Sequence, residues 1–273
     1  MTQPTILIST GRTGTKFFAH LFADLFPQVQ AFHDTSYSTL MNVLSNAHLA
    51  RLYPRWKMKL VWHMLKGREM THCDRDFFID SNNHLYALVV QAPELYPDLK
   101  VIHIVRDPRT YVRSHLNWAA QRRKSYIANY WIPFWQPNAF LLGEMSWGKW
   151  RSLAKLARFG WIWDFKNRYM ARLAQTDVPY LCVRFEDFFG GPEPTLYFNE
   201  MLHFIGLPEV GNVDDRFERP LNHTETRTFP KWPDWTAAQC AELQALCGKQ
   251  MAAFGYGQEP AWQEKVTQGQ ASL

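Results

Sequence analysis

The chain has 273 residues, of which 47% are hydrophobic and 20% are charged. That balance is typical of a globular protein with a sizeable core, and it excludes a disordered or fibrous chain. The formal charge of +5 and the pI near 9.0 favour anionic partners, without separating nucleotides from nucleic acids or acidic lipids. No apolar run is long enough to predict a transmembrane helix. The first predicted strand begins within five residues of the start, and the four cysteines lack paired spacing, so we expect a cytoplasmic protein with reduced thiols.

The first predicted elements are a buried strand at 6–8 and a helix from about residue 15, joined by a turn with two glycines. The glycines let the backbone come close to an anion, and the first N–H groups of the helix point towards it. Thr13, Thr15 and Lys16 add hydroxyl and ammonium donors, and Arg12 adds a guanidinium. The segment 11–16 therefore predicts a phosphate-binding loop, with an ordinary glycine turn as the alternative.

This loop departs from the Walker A pattern in three ways. Ser9 stands where the first glycine belongs, Thr15 stands where the lysine belongs, and no hydroxyl follows Lys16 to ligate Mg²⁺. The sequence therefore predicts an anion site and argues against a metal–nucleotide hydrolase.

Further along the chain, apolar strands alternate with amphipathic helices. The predicted elements are a strand at 29–35, helical and basic residues at 38–70, an apolar stretch at 77–80, a helix at 83–94, strands at 101–105 and 180–185, helices from Pro108, at 193–206 and from Ala237, and a polar, frayed tail from 258. This order predicts an α/β fold in three layers, with a central, mostly parallel sheet and helices on both faces. We expect one domain over 1–257 with an aromatic insertion at about 118–170, and a polar tail at 258–273.

A second candidate anion site follows the strand at 101–105. Arg106 ends that strand, Asp107 and Pro108 start a helix, and Ser114 lies two turns into it. A local ion pair between Arg106 and Asp107 is the alternative. Because ligands of such sheets bind beyond the carboxyl ends of the strands, the two sites together predict a cofactor with phosphates at both ends.

These segments resemble the sulfotransferases that use 3′-phosphoadenosine-5′-phosphosulfate (PAPS), a family with a P-loop-like fold, and in particular their bacterial and protein-tyrosine branches. Residues 11–16 are similar to the 5′-phosphosulfate loop, and 105–114 resemble the 3′-phosphate motif, whose Arg and Ser stand eight apart. Residues 182–188 with 203–208 resemble the "YEDL … FLGLP" pair, with Phe185 in place of the tyrosine. Residues 220–222 and Lys231 resemble the late segment that returns to the 3′-phosphate. The cofactor-binding residues implied are Gly11, Arg12, Thr13, Gly14, Thr15, Lys16, Phe17, Arg106, Ser114 and Lys231.

The resemblance implies in-line transfer of a sulfuryl group to a hydroxyl or amine, with release of 3′,5′-ADP. Backbone N–H groups, Arg12 and Lys16 can meet the charge of the leaving phosphate, so no metal is required. Related enzymes carry the acceptor base about twenty residues after the loop, which makes Asp34 the first candidate and His33 the second. The alternative for Asp34 is a helix cap. Asp80, Ser81 and His115 are further pocket candidates, although a structural role is favoured for each.

The aromatic segment at 118–163 is the predicted acceptor site, because aromatic faces suit sugar rings, aryl groups and lipid tails. We expect a small-molecule, carbohydrate or lipid acceptor and no nucleic acid. The basic residues at 121–124 suit an acidic acceptor or a membrane surface. The alternatives are a nucleotide or small-molecule kinase, and a non-catalytic protein that binds a membrane or a partner. The acceptor and the oligomeric state stay open.

Overall fold

The computed structural model describes residues 2–34, 37–89, 98–121, 132, 134–218 and 228–271. The chain divides into two compact units. The first, here called the sheet unit, comprises Met1–Val105 and Tyr169–His223; the second, the helical unit, comprises Arg106–Arg168 and Thr224–Leu273. The single domain over 1–257 stays a prediction.

The sheet unit contains five parallel strands in the order β2-β3-β1-β4-β5. The strands are β1 (Gln3–Ser9), β2 (Val29–Phe32), β3 (Phe77–Ser81), β4 (Lys100–Val105) and β5 (Tyr180–Arg184). The predicted α/β class and the parallel sheet are confirmed. The sheet places the carboxyl ends of β1, β2 and β3 at one edge, as parallel strands require.

The central strand β1 is buried on both faces. Ile6, Leu7 and Ile8 point alternately to the two faces, yet none is more than 1% exposed. On one face an aromatic cluster forms, in which Phe18 meets Phe188 with ring centroids 5.2 Å apart. Burial on both sides is the physical reason why the strands are continuous apolar runs rather than alternating ones.

The helices of the sheet unit surround these strands. They are α1 (Thr15–Leu25), α2 (Ser38–Leu49), α3 (Arg55–Trp62), α4 (Arg68–Thr71), α5 (Tyr86–Val89), α9 (Phe185–Phe188), α10 (Pro194–Ile205) and α11 (Asp214–Phe217). The predicted helical stretch 38–70 is divided because Pro54 cannot continue a helix, and residues His63–Gly67 form a π-helical turn. Of the helix predicted at 83–94, the structure has a 3₁₀ turn at Asn83–Leu85 and α5, and residues 90–97 lie outside the described part.

The helical unit contributes α6 (Pro108–Gln121), α7 (Trp147–Ser152), α8 (Lys155–Met170), α12 (Ala237–Ala253) and α13 (Pro260–Gln270). Helix α12 begins with a capping box, in which Gln239 N–H donates to Thr236 Oγ1 at 3.2 Å and Thr236 N–H donates to Gln239 Oε1 at 2.9 Å.

The expectation of a frayed tail was wrong, because residues 260–270 form helix α13. Trp262 and Val266 are buried, at 0% and 4% exposure. A Cβ on Gly269 would lie 2.1 Å from the Ala237 carbonyl oxygen, so only glycine permits this close packing of α13 on α12. The apolar residues of α13 are sparse among polar ones, which is why this segment has only a weak helical pattern.

Candidate functional site

The predicted phosphate loop adopts a strained backbone. Gly11, Arg12 and Gly14 all have positive φ, at 94°, 60° and 75°. Non-glycine residues rarely adopt this conformation, and such strain concentrates at functional sites. Such turns can form a concavity lined by N–H groups that binds an anion, although the Gly11 N–H itself donates to Ser9 Oγ.

Helix α1 adds donors to that concavity. Its first intrahelical hydrogen bond runs from Phe18 N–H to the Gly14 carbonyl, 3.0 Å long. Thr15, Lys16 and Phe17 come before Phe18 in the first turn of the helix. Their N–H groups therefore have no acceptor within the helix. Lys16 is exposed, whereas Thr15 is buried. The N-terminus of α1 and the adjacent loop therefore offer backbone N–H donors and the Lys16 ammonium, groups that suit an anion.

Ser9 holds the turn together. Its Oγ accepts hydrogen bonds from Gly11 N–H at 3.1 Å and from Thr13 Oγ1 at 2.6 Å, and all three residues are buried. The Thr13 hydroxyl is therefore engaged inside the loop rather than directed outward. The sequence analysis treated Ser9 only as a departure from the Walker pattern. It did not predict that the Ser9 hydroxyl holds the turn.

Two aromatic rings lie beside the loop. A Cβ on Gly14 would lie 2.9 Å from the Phe189 ring and 3.7 Å from the Phe185 ring, so glycine is needed here for space as well as for φ. Phe185 and Phe189 stack with ring centroids 4.5 Å apart. The Phe185 ring, which stands where the family motif has a tyrosine, is therefore next to the phosphate loop. Phe189 was not singled out from the sequence.

The two candidate bases lie just beyond β2 and contact each other. His33 Nδ1 is 2.9 Å from the Ser81 carbonyl, and its Nε2 is 3.3 Å from Asp34 Oδ2. Because a carbonyl only accepts hydrogen bonds, Nδ1 carries a proton and Nε2 faces the carboxylate. Asp34 has φ of 48° and its side chain is 39% exposed. The N-cap of α2 is Tyr37, so the structure does not give Asp34 the capping role.

The end of β3 connects the loop to this pair. Asn82 N–H donates to the Leu7 carbonyl of β1 at 2.9 Å, and a Cβ on Gly11 would lie 3.4 Å from Asn83 Nδ2. Ser81, one residue earlier, holds His33 through its carbonyl. The phosphate loop and the His33–Asp34 pair therefore share one edge of the sheet.

Asp80 has a structural partner. It is fully buried and accepts a hydrogen bond from Lys66 Nζ, which also donates to Glu69 Oε2 at 2.8 Å. Burial lowers the pKa of Lys66, but the carboxylates of Asp80 and Glu69 raise it by more, so the ammonium stays charged. Lys66 belongs to the π-helical turn, and the network fixes that turn to β3.

In the helical unit, Arg106 and Ser114 are held by helix α6. Arg106 follows β4 directly, and its Nε donates to Thr110 Oγ1 at 2.9 Å. Its carbonyl accepts a hydrogen bond from Trp163 Nε1 at 2.8 Å. Ser114 is half-buried and lies two turns into α6. Asp107 accepts from Arg109 N–H at 2.7 Å, which confirms that it caps the helix.

The late segment returns to α6 near Ser114. Asn117, three residues after Ser114 and so on the same side of the helix, accepts from Phe229 N–H at 2.7 Å. Arg113 donates from Nε to the Phe229 carbonyl at 3.2 Å. Lys231 follows two residues later and is exposed. The structure thus brings the Lys231 segment to the helix that carries Ser114, whereas residues 220–222 lie outside the described part.

Arg109 was missed as a structural centre of this region. Its guanidinium is 2% exposed and forms ion pairs of 2.6 Å with both Asp107 and Glu259. It also lies 4.9 Å from the Trp232 ring centroid and 5.1 Å from that of Trp262. Burial lowers the pKa of Arg109, but the hydrogen bonds that its guanidinium donates to Glu259 and Asp107 raise it by more. The sequence feature that could have indicated this role is the second arginine, which directly follows Arg106-Asp107-Pro108.

Much of the predicted acceptor segment is core. Trp161 and Trp163 are 3% and 0% exposed. His115, a further pocket candidate, lies between the rings of Tyr111 and Phe159, at 4.4 and 5.0 Å. Trp147 is 52% exposed. Of the basic run at 121–124, residues 122–124 lie outside the described part.

Within 2–34, 37–89, 98–121, 132, 134–218 and 228–271, no group of three or more His, Cys, Asp and Glu side chains is arranged to hold a metal ion. Over the same residues, no helix combines the length and apolarity that crossing a membrane requires.

The Sulfotransferase domain family matches residues 2–231, which is most of the chain. The chain belongs to the sulfotransferase family. Comparison with curated proteins finds no match. Among solved structures, this sulfotransferase is similar to one from Alicyclobacillus acidocaldarius, with 13% identity, a TM-score of 0.50 and coverage of 93% of this chain and 98% of that one. At this identity the likeness shows the fold.

Two sulfotransferase domains are similar at lower scores. The one from the Synechococcus PCC 7002 olefin synthase has 15% identity and a TM-score of 0.46, covering 80% of each chain. The one from the curacin biosynthetic pathway has 10% identity and a TM-score of 0.48, covering 98% of this chain and 97% of that chain.

Proposed function

We propose that this sulfotransferase moves a sulfuryl group from PAPS to a hydroxyl or amine of a small-molecule, carbohydrate or lipid acceptor. The observation that supports this most strongly is the arrangement at the end of the sheet. The strained phosphate loop after β1 and the His33–Asp34 pair after β2 are joined through Ser81 and Asn83. An anion site and a base at one edge are what sulfuryl transfer needs.

The loop residues 11–17 would bind the 5′-phosphosulfate of the nucleotide, with the Phe185 ring available to the adenine. Arg106 and Ser114 would bind the 3′-phosphate, and Lys231 would join them. The support for this assignment is the donor set: a guanidinium, a hydroxyl and an ammonium suit a dianionic phosphate. Asn117 and Arg113 would have a positioning role, because they hold the segment that carries Lys231 against α6.

When bound, PAPS supplies the sulfuryl group. In the proposed step the acceptor oxygen or nitrogen bonds to sulfur, while the bond from sulfur to the 5′-phosphate oxygen breaks. The N–H groups of α1, Arg12 and Lys16 meet the charge that appears on that oxygen. Such a reaction depends on alignment and charge stabilisation, as phosphoryl transfer does.

Asp34 is the proposed acceptor of the proton that the nucleophile releases, and His33 is the second candidate. Asp34 is the more exposed of the two, at 39% against 20% for the His33 side chain. His33 is oriented by the Ser81 carbonyl, and as an imidazolium, with a proton on each ring nitrogen, it can donate from Nε2 to the Asp34 carboxylate. A cytoplasmic location stays a prediction.

Calorimetric titration with 3′,5′-ADP tests this function, with ATP·Mg²⁺ as the comparison. We expect micromolar binding of 3′,5′-ADP and little binding of ATP·Mg²⁺. Preference for ATP·Mg²⁺ would indicate a kinase instead. If neither nucleotide binds, the loop has only a structural role and the enzymatic proposal is wrong.

A further inference from the structure

Helix α3 has two apolar stripes, and only one of them is buried. Met58 and Trp62 are 1% and 2% exposed and pack into the sheet unit. On the other side, Trp56, Leu60 and Met64 follow each other at intervals of four residues and are 63%, 50% and 49% exposed. Leu52, just before the helix, is 65% exposed. A group of large apolar side chains in solvent marks an interaction site.

Cations flank the exposed stripe on both sides. At 100° per residue, Lys59 lies on one edge of the stripe and Lys57 lies on the other, whereas Arg55 lies on the side of the buried Trp62. The Lys57 ammonium is 5.3 Å from the Trp56 ring centroid. Arg51 is exposed beside Leu52. This surface, here called the α3 face, comprises Arg51, Leu52, Trp56, Lys57, Lys59, Leu60 and Met64.

The charged residues that make up the α3 face, Arg51, Lys57 and Lys59, are all cations. No aspartate or glutamate occurs in the sequence between Asp34 and Glu69. Two copies of the face would therefore set cations against cations, which disfavours self-association. An anionic surface is the complementary partner.

We propose that the α3 face binds the surface of an anionic lipid membrane. An amphipathic helix of this kind lies in the plane of the interface, with its apolar side chains at the acyl boundary and its cations among the headgroup phosphates. Tryptophan suits this depth because its ring is apolar and its N–H is polar. The sequence left open whether the aromatic segment at 118–163 binds the acceptor or a membrane, and it did not single out α3 for membrane contact.

Flotation with vesicles tests the proposal. We expect the full-length protein to bind vesicles of phosphatidylcholine mixed with phosphatidylglycerol, not vesicles of phosphatidylcholine alone, and to bind less as salt rises. The double variant Trp56→Ser/Leu60→Ser should lower binding by more than about tenfold. Its matched control is Trp147→Ser/Leu196→Ser, which removes residues that are 52% and 51% exposed elsewhere and should change binding little.

Charge is tested in the same way. Lys57→Ala should weaken binding roughly fivefold, because each cation near the surface contributes about that factor. Lys249→Ala, an exposed lysine on α12, should have little effect. Because all the altered residues are exposed, the variants should keep the unfolding temperature of the parent.

Three results would overturn the proposal. The first is failure of the parent protein to bind the anionic vesicles. The second is unchanged binding by Trp56→Ser/Leu60→Ser, and if Trp147→Ser/Leu196→Ser then lost binding, the contact would belong to those residues. The third is a dimer in light scattering that Trp56→Ser/Leu60→Ser dissociates, which would show that a second copy covers the face. Vesicle binding needs no nucleotide, so these results are independent of the proposed function.

Discussion

Replacing Arg109 by methionine should destabilise the protein strongly. Methionine is long enough to keep the packing contacts with the Trp232 and Trp262 rings. The measured effect therefore comes mainly from removal of the positive charge. It leaves Asp107, whose side chain is 11% exposed, without the guanidinium that pairs with it at 2.6 Å. Removing one partner of a buried ion pair costs about 3–5 kcal/mol, because the remaining charge stays desolvated.

The partner Glu259 gives the contrast. Its carboxylate accepts two hydrogen bonds from Arg109, at 2.6 and 2.9 Å, but its side chain is 49% exposed. Solvent screens a half-exposed pair, so Glu259→Gln should cost about 1 kcal/mol or less. Adding Asp107→Asn to Arg109→Met removes the uncompensated charge, and it should recover part of the lost stability.

Urea unfolding followed by tryptophan fluorescence measures these differences. The expected order of stability is parent, then Glu259→Gln, then Arg109→Met/Asp107→Asn, then Arg109→Met. Equal losses for Arg109→Met and Glu259→Gln would refute the reasoning, because burial of the pair would then not decide its cost. A loss below 1 kcal/mol for Arg109→Met would refute it too.

Three further predictions concern other buried or reactive groups. Lys66→Met should lower the free energy of unfolding by about 3–5 kcal/mol, because it leaves the buried Asp80 without its cation. Adding Asp80→Asn to Lys66→Met should recover part of that loss, as measured by urea unfolding. Asp34→Asn should abolish product formation while leaving 3′,5′-ADP affinity intact in calorimetry; unchanged turnover would move the base to His33. Burial lowers the pKa of Lys166 from 10.5 to about 7. The unfolded chain therefore binds more protons between those values, so unfolding curves should show Lys166 adding stability as pH rises from 7 towards 10.5, and Lys166→Met should remove this slope.

The strands and the loop could be predicted from the sequence because their signals are local. Buried parallel strands are continuous apolar runs, and Gly11 and Gly14 stand where the backbone needs positive φ. The capping box at Thr236 and the start of α6 at Pro108 rest on side chains next to the backbone they cap. These features depend on few distant residues.

The parts that could not be predicted depend on contacts between distant segments. Phe189 reaches the loop only through the fold, 175 residues after Gly14. Glu259 meets Arg109 from a separation of 150 residues, and this contact helps to order a tail whose composition reads as frayed. Which stripe of α3 is buried is likewise decided by what the sheet unit packs against it.

The most direct test of the central claim compares 3′,5′-ADP with 5′-AMP in calorimetric titration of the parent protein and of Ser114→Ala. The two nucleotides differ only in the 3′-phosphate, for which Arg106 and Ser114 are the proposed ligands. Charge-assisted hydrogen bonds contribute about 1.5–3 kcal/mol each, so the parent should bind 3′,5′-ADP at least roughly tenfold more tightly than 5′-AMP. Ser114→Ala should narrow that difference without changing the affinity for 5′-AMP. Equal affinity of the parent for both nucleotides would contradict the account, because the site after β4 would then bind no phosphate.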